Sequence, residues 1–177
     1  SCSIRSSSRR VESNVKTLDV IRRRLAAPRR PLDPRARLLG NIDGPISPQL
    51  RAALERPSRP ASVLLALLPR RDGPTVLFTE RAAHLKDHGG QVSLPGGRLA
   101  AGETPVEAAL REAHEEVGLA PAAVEVIGSL DQFVTGTGFT IEPVVGIVAD
   151  PEFVATPDAR EVAGVFEVPL TVVLDRT

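Results

Sequence analysis

Aromatic residues are almost missing: the chain has five Phe, no Tyr and no Trp. A core must therefore come from Val, Leu, Ile and Ala, and there is little aromatic surface on which nucleic-acid bases could stack. The single cysteine, Cys2, excludes an intramolecular disulfide and a multi-cysteine zinc site and fits a reducing compartment. The expected location is cytoplasmic. No apolar run approaches the roughly 20 residues that span a bilayer, so a soluble chain with no membrane partner is expected. Met is absent and the chain opens at Ser1, so the natural start is expected to lie elsewhere. No internal repeat is visible. What is present, 177 residues of which 42% are hydrophobic, suffices for one domain with a proper core.

The charges sum to zero but are unevenly placed. Residues 1–37 carry a balance of +8 and the remainder −8. Residues 1–16, with the run RSSSRR, read as a disordered basic leader. The same composition, rich in Ser and Arg, also fits an organellar transit peptide. Residues 17–60 read as an N-terminal helix and a connecting segment rich in Pro and Arg. Thr17 is placed to cap that helix, which runs through Leu18, Ile21 and Leu25 and ends before Pro28. Leu38-Leu39-Gly40 and Ile46 stand out as isolated anchors in the connection, with one more short helix at Pro48–Leu54.

The texture changes at residue 61, where the main domain, 61–177, begins. Ala61–Leu68 and Thr75–Thr79 are apolar runs around a turn cluster, 69–74, and read as a hairpin. Continuous apolar character suggests central strands buried on both faces. Short or longer strands are expected at Gln91–Leu94, Val124–Leu130, Ile141–Val148 and Val162–Val168. With a helix between them, the pattern is mixed α/β with a sheet sandwiched by helices.

The chemistry is concentrated in residues 97–119, GRLAAGETPVEAALREAHEEVGL. Thr104 with Glu107 forms a capping box, Pro105 suits the first helical position, and Gly118 suits a left-handed terminus. Turned at about 100° per residue, Val106, Leu110, Ala113 and Val117 form an apolar stripe, with Glu112, Glu115 and Glu116 on the opposite, outward side. A solvated charged face would interleave Lys with Glu, but residues 103–117 offset five Glu with Arg111 alone. Like charges at these spacings repel, and Glu115 and Glu116 sit at the helix end that disfavours anions. A hard divalent cation held by carboxylate oxygens would offset both penalties.

The pattern Gly97, Glu103, Arg111-Glu112-Ala113-x-Glu115-Glu116-x-Gly118-Leu119 resembles a complete Nudix box, here residues 97–119. The resemblance implies a Nudix α/β/α sandwich around a mixed β-sheet and an enzyme that hydrolyses a diphosphate with Mg²⁺ or Mn²⁺. It implies Glu112 and Glu116 as principal metal ligands, Glu115 as a third or bridging ligand and the Gly97 carbonyl as a further one. Arg111 would orient the carboxylates, and Glu103 would support the metal shell or a water. Glu103, Arg111 and Glu115 are the catalytic candidates, and Glu161 is a secondary candidate on a later segment.

A second resemblance lies upstream. Leu77-Phe78-Thr79-Glu80-Arg81-Ala82, then Lys86, Gly90 and Leu94-Pro95-Gly96-Gly97, looks like the extra motif of the coenzyme A diphosphatase branch. Lys86 stands where that branch has Arg, and Leu94 where it has Phe. The implied substrate is a small molecule, coenzyme A or a derivative, with Arg81, Lys86, Gly90 and Gly96 as substrate-binding positions. Arg81, Lys86, His84 and His88 form a basic cluster suited to a third phosphate. Other nucleoside diphosphate derivatives and a non-catalytic binding module with the same fold are the rival readings. No nucleic-acid partner is expected, and the protein would act as a monomer or homodimer. The family usually continues with another strand and a closing helix, whereas this chain stops at Thr177. It is either a fragment lacking that strand and helix, with apolar sheet surface exposed, or a fold that closes differently.

Overall fold

The computed structural model describes residues 16–28, 33–40, 44–48, 57–84 and 89–175. The strands are β1 (Arg59–Leu68), β2 (Thr75–Arg81), β3 (Val92–Ser93), β4 (Gly96–Arg98), β5 (Val124–Ser129), β6 (Phe133–Val134), β7 (Phe139–Val148) and β8 (Val162–Pro169). The helices are α1 (residues 16–26), α2 (Pro34–Gly40), α3 (Pro105–Val117) and α4 (Leu170–Val173). All eight strands join one sheet, in which β1 pairs β7 in parallel and every other pairing is antiparallel. The sheet is therefore mixed, as the sequence suggested.

β1 and β7 are the central strands. Their inner residues are buried on both faces, which explains why they read as unbroken apolar runs. On one face, Leu64, Ala66, Leu68, Val144 and Val148 pack against Ala109, Ala113 and Val117 of α3. On the other, Leu67, Val76, Val145 and Ile147 pack against Leu18, with Ile21 and Leu25 beside it, on α1 and against Leu170 on α4. The layers are helix, sheet, helix. α1 and α4 cover the sheet around Leu67, Val76, Val145 and Ile147, while Phe166 of β8, stacked on Phe78, is 42% exposed.

The hairpin of β1 and β2 differs from the sequence expectation in extent. The two strands pair only at Leu67↔Val76 and Leu68↔Thr75, then diverge. β2 runs on alongside β8, and β1 alongside β7. Into the fork between them fits the segment β3–Leu94–Pro95–β4. Ser93 pairs with Thr79, Gly97 with Ser62, and Pro95 is buried with its carbonyl accepting from the Leu64 N–H at 2.8 Å. This fork positions the site.

Other elements correct the sequence reading. Thr17 lies inside α1, which already includes residue 16, so it does not cap it. The connecting segment holds a helix that the sequence reading did not place: α2 forms at Pro34–Gly40, where the Asp33 carboxylate accepts from the Arg35 N–H at 2.9 Å and Pro34 takes the first turn. β6, unforeseen, pairs β7 at Phe133↔Ile141. The short helix expected at Pro48–Leu54 falls mostly outside the described residues, as does the basic leader.

Candidate functional site

α3 begins and ends as its sequence dictates. Thr104 Oγ1 accepts from the Glu107 N–H at 3.3 Å, the Glu107 carboxylate accepts from the Thr104 N–H at 2.8 Å, and Gly118 closes the helix at φ 72°. The expected stripe of Val106, Leu110, Ala113 and Val117 meets the core, but the carboxylates are placed differently from the expectation. The buried arc runs from Ala108 through Ala109 and Glu116 to Ala113 and Val117. Glu115 alone of the three carboxylates is outward, with its side chain 56% exposed, whereas Glu112 is half-buried and Glu116 is 3% exposed. The reason lies in what α3 covers. It lies across β4 as well as β1, and at β4 the glycines leave room for carboxylates. A Cβ on Gly97 would fall 2.3 Å from Glu112 Oε1, and the Gly96 N–H donates to Glu116 Oε2 at 3.1 Å.

Arg111 gathers the acidic set. Its Nε and Nη2 donate to the two oxygens of Glu103 at 2.8 and 3.0 Å, a bidentate pair. Nη1 donates to Glu112 Oε1 at 2.9 Å and to Glu115 Oε2 at 3.1 Å, and Nη2 also reaches the Arg98 carbonyl at 3.2 Å. Glu103 additionally accepts from the Ala100 N–H at 2.8 Å. Arg111 and that N–H hold the Glu103 carboxyl down at about 2. Burial pushes Glu112 up against the pull of Arg111. Burial, seconded by the charges of Glu112 and Glu161, pushes Glu116 up to about 7, although the Gly96 N–H and Arg81 favour its charged form.

Arg81, at the end of β2, places Nη1 3.6 Å from Glu116 Oε1. The loop that follows is closed by the Gly90 N–H on the Arg81 carbonyl and the Arg81 N–H on the Gln91 carbonyl, both 2.9 Å, with Gly90 at φ 75°. Lys86 and His88 lie outside the described residues, and His84 is exposed. Glu161 comes near from another direction. The segment before β8 latches onto the C-terminus of α3, with the Thr156 N–H on the Val117 carbonyl and the Asp158 N–H on the Glu116 carbonyl, both 3.0 Å. Glu161 then accepts from the Ala82 N–H at 2.9 Å through its own carbonyl. The fold thus brings Gly96, Gly97, Glu103, Arg111, Glu112, Glu115, Glu116 and Arg81 together at the fork. The burial of Glu116 was missed from the sequence, and its signal was present: Glu116 follows Ala109 by seven residues, two turns along the same buried side.

The donor set fits a hard divalent cation. Oxygens of Glu112, Glu115 and Glu116 and the carbonyl at Gly97 are the ligand type such ions take. Among the described residues no three acidic, His or Cys side chains are gathered closely enough to hold a metal ion by themselves. Mg²⁺ itself favours one or two carboxylates with waters and substrate phosphates completing the shell, so an open arrangement suits it. An anionic helix side with one enclosed carboxylate, set against a glycine strand, marks the class: an α/β/α sandwich with an acidic site at the fork of its sheet.

The NUDIX domain family model matches residues 58–174, and the chain belongs to the Nudix family. It is 46% identical over 114 residues to an uncharacterized Nudix hydrolase, NudL, of Enterobacter sp. (strain 638), covering 64% of this chain and 58% of the relative. Identity to the NudL of Escherichia coli O7:K1 is 47% over 113 residues, covering 63% of this chain and 58% of that one. The chain spans less than two thirds of the length of these relatives. Among solved structures, the Nudix hydrolase RenU of M. smegmatis superposes with a TM-score of 0.56 at 32% identity, over 65% of this chain and 73% of that one.

Proposed function

We propose that this protein hydrolyses the phosphate–phosphate bond of a nucleoside diphosphate derivative with Mg²⁺ or Mn²⁺, and that its substrate is coenzyme A or a derivative. The observation that carries the reading is Glu116, a carboxylate 3% exposed beside Glu112 and the Gly96–Gly97 backbone. A buried carboxylate without a full counter-charge is costly, and Arg81 at 3.6 Å supplies only part of one.

In this reading Glu112, Glu116 and Glu115, with the Gly97 carbonyl, hold the metal. When bound, the ion screens the phosphate oxygens and lowers the pKa of a water. Arg111 fixes the angle of Glu112 and Glu115 through the bonds described above, and Glu103 locks Arg111 in turn. Arg81, Lys86, Gly90 and Gly96 contact the substrate, Arg81 from its place next to Glu116. The water oxygen bonds to one phosphorus, the bridging P–O bond breaks, and the departing phosphate keeps the bridging oxygen. From coenzyme A the products are adenosine 3′,5′-bisphosphate and 4′-phosphopantetheine. The proton of the water passes to one of the carboxylates around the site. Residues 61–177 act as the catalytic body. The substrate assignment is supported by the upstream motif from Leu77 to Gly97, whose Arg81 lies at the carboxylates.

The test is a panel of coenzyme A, ADP-ribose and a dinucleoside polyphosphate, each with Mg²⁺ and Mn²⁺ and with products resolved by chromatography. Coenzyme A is expected to turn over fastest, and Glu116→Gln to lower kcat by at least about a hundredfold while still folding. Equal turnover of ADP-ribose overturns the substrate. Binding without product, or a fully active Glu116→Gln protein, overturns the hydrolase reading.

A further inference from the structure

Two arginines share one ring at the opening end of the sheet. Arg59 begins β1 and Phe139 begins β7, and they are register partners. Arg98 ends β4 opposite Ala61, two residues further along β1, so its side chain shares a face with that of Arg59. The guanidinium carbon of Arg59 lies 4.0 Å from the centroid of Phe139, and that of Arg98 5.2 Å. Arg59 Nη2 also donates to the Thr137 carbonyl at 2.6 Å.

Neither arginine has a carboxylate within ion-pair distance among the described residues. Arg22, Arg70, Arg81, Arg111 and Arg160 each have one. Both stand in residues 38–177, where acids outnumber bases by eight. Two like charges drawn onto one ring repel, and the ring face offsets only part of that. An anion between them would supply the rest, in a fork-shaped setting suited to phosphate oxygens.

The position ties this pair to the carboxylate site. Arg98 directly follows Gly97, whose missing Cβ leaves room for Glu112, and Arg111 joins the Arg98 carbonyl to Glu112 with one guanidinium. β4 pairs only with β1, so among the described residues its other edge is open. A ligand lying across that edge meets Glu112 and Glu116 on the α3 side and Arg98 with Arg59 on the other. We propose that Arg59 and Arg98, braced on Phe139, bind a phosphomonoester carried by the same substrate whose diphosphate lies at the carboxylates. The inference rests on the diphosphatase reading and assigns a specificity site distinct from Arg81, which is paired with Glu116.

The experiment compares coenzyme A with 3′-dephospho-coenzyme A in the wild type, Arg59→Gln, Arg98→Gln and Arg98→Lys. The wild type is expected to favour coenzyme A in kcat/KM by about tenfold or more. Each Gln variant should bring that ratio toward one through a raised KM for coenzyme A, and Arg98→Lys should keep part of it. A wild-type ratio near one, an unchanged ratio in the variants, or equal losses on both substrates would overturn the assignment. If the wild type cleaves neither compound, the coenzyme A reading fails by itself. The site is then judged by calorimetric titration of adenosine 3′,5′-bisphosphate against AMP: a preference for the bisphosphate that Arg98→Gln abolishes sustains it, and equal affinities refute it.

Discussion

Glu116 and Glu103 belong to one acidic cluster, yet their surroundings drive them in opposite directions. Glu103 is held at about 2 by Arg111 and the Ala100 N–H. It contributes stability above the ordinary value of 4.5, and this is lost as pH falls through about 2. Glu116 is raised from 4.5 to about 7 by burial. Its native form binds a proton that the unfolded chain has released, so its contribution is fully present below 4.5 and lost as pH rises through about 7. The whole effect is at most on the order of 3 kcal/mol. The metal-free protein is therefore expected to lose melting temperature between about pH 5 and 8. Glu116→Gln should flatten that decline and melt above the wild type at pH 8, and added Mg²⁺ should stabilise the wild type but not the variant. Scanning fluorimetry across pH decides it, and a variant that parallels the wild type at every pH would contradict the burial argument.

At the scale of the element, the two adjacent glycines of β4 make separate demands. A Cβ on Gly96 would meet the Ser62 carbonyl oxygen at 2.4 Å and Val63 Cα at 2.6 Å, both backbone atoms of β1. The three atoms nearest a Cβ on Gly97 would all belong to the end of the Glu112 side chain. Gly96→Ala is accordingly expected to destabilise the fold by about 2 kcal/mol or more, since the strands must part. Gly97→Ala should fold with a nearly unchanged urea midpoint while its kcat falls by at least about tenfold, because Glu112 must leave its place. Denaturation and kinetics on the two variants test the contrast, and an active Gly97→Ala protein would speak against a role for Glu112. These demands also show what the sequence could disclose. Both ends of α3 were readable because Thr104, Glu107, Pro105 and Gly118 act within one turn of the chain. The same local chemistry, Asp33 before Pro34, marks α2, though the prolines around it obscure the signal. The divergence of β1 from β2 was not readable. It depends on β7 and β8 taking over the two strands' outer edges, across long sequence separations, and only then does a fork exist for the glycines to fill.

For the whole molecule, the notable division is between the face that carries chemistry and the face that carries cover. α3 and its carboxylates lie on one side of the sheet; α1, from outside the 58–174 stretch that matches the family model, lies on the other. Leu18 is 7% exposed against the layer of Leu67, Val145 and Ile147, and Leu25 Cβ lies 3.2 Å from where Gly128 would carry a Cβ. The polar tie of α1, Arg22 to Glu125 at 2.5 Å, is exposed on both sides. Exposed pairs contribute at most about 1 kcal/mol, whereas emptying a buried Leu position costs about 2 kcal/mol or more. Leu18→Ala should therefore lower the urea midpoint clearly, Arg22→Ala should scarcely move it, and neither should alter kcat/KM. A protein begun at residue 57 would leave the Leu67–Ile147 layer open to water and is expected to bind a hydrophobic dye and associate. If that shortened protein were as stable and as dispersed as the full chain, α1 would be an ornament on a sheet already closed, and the three-layer account of this fold would have to be withdrawn.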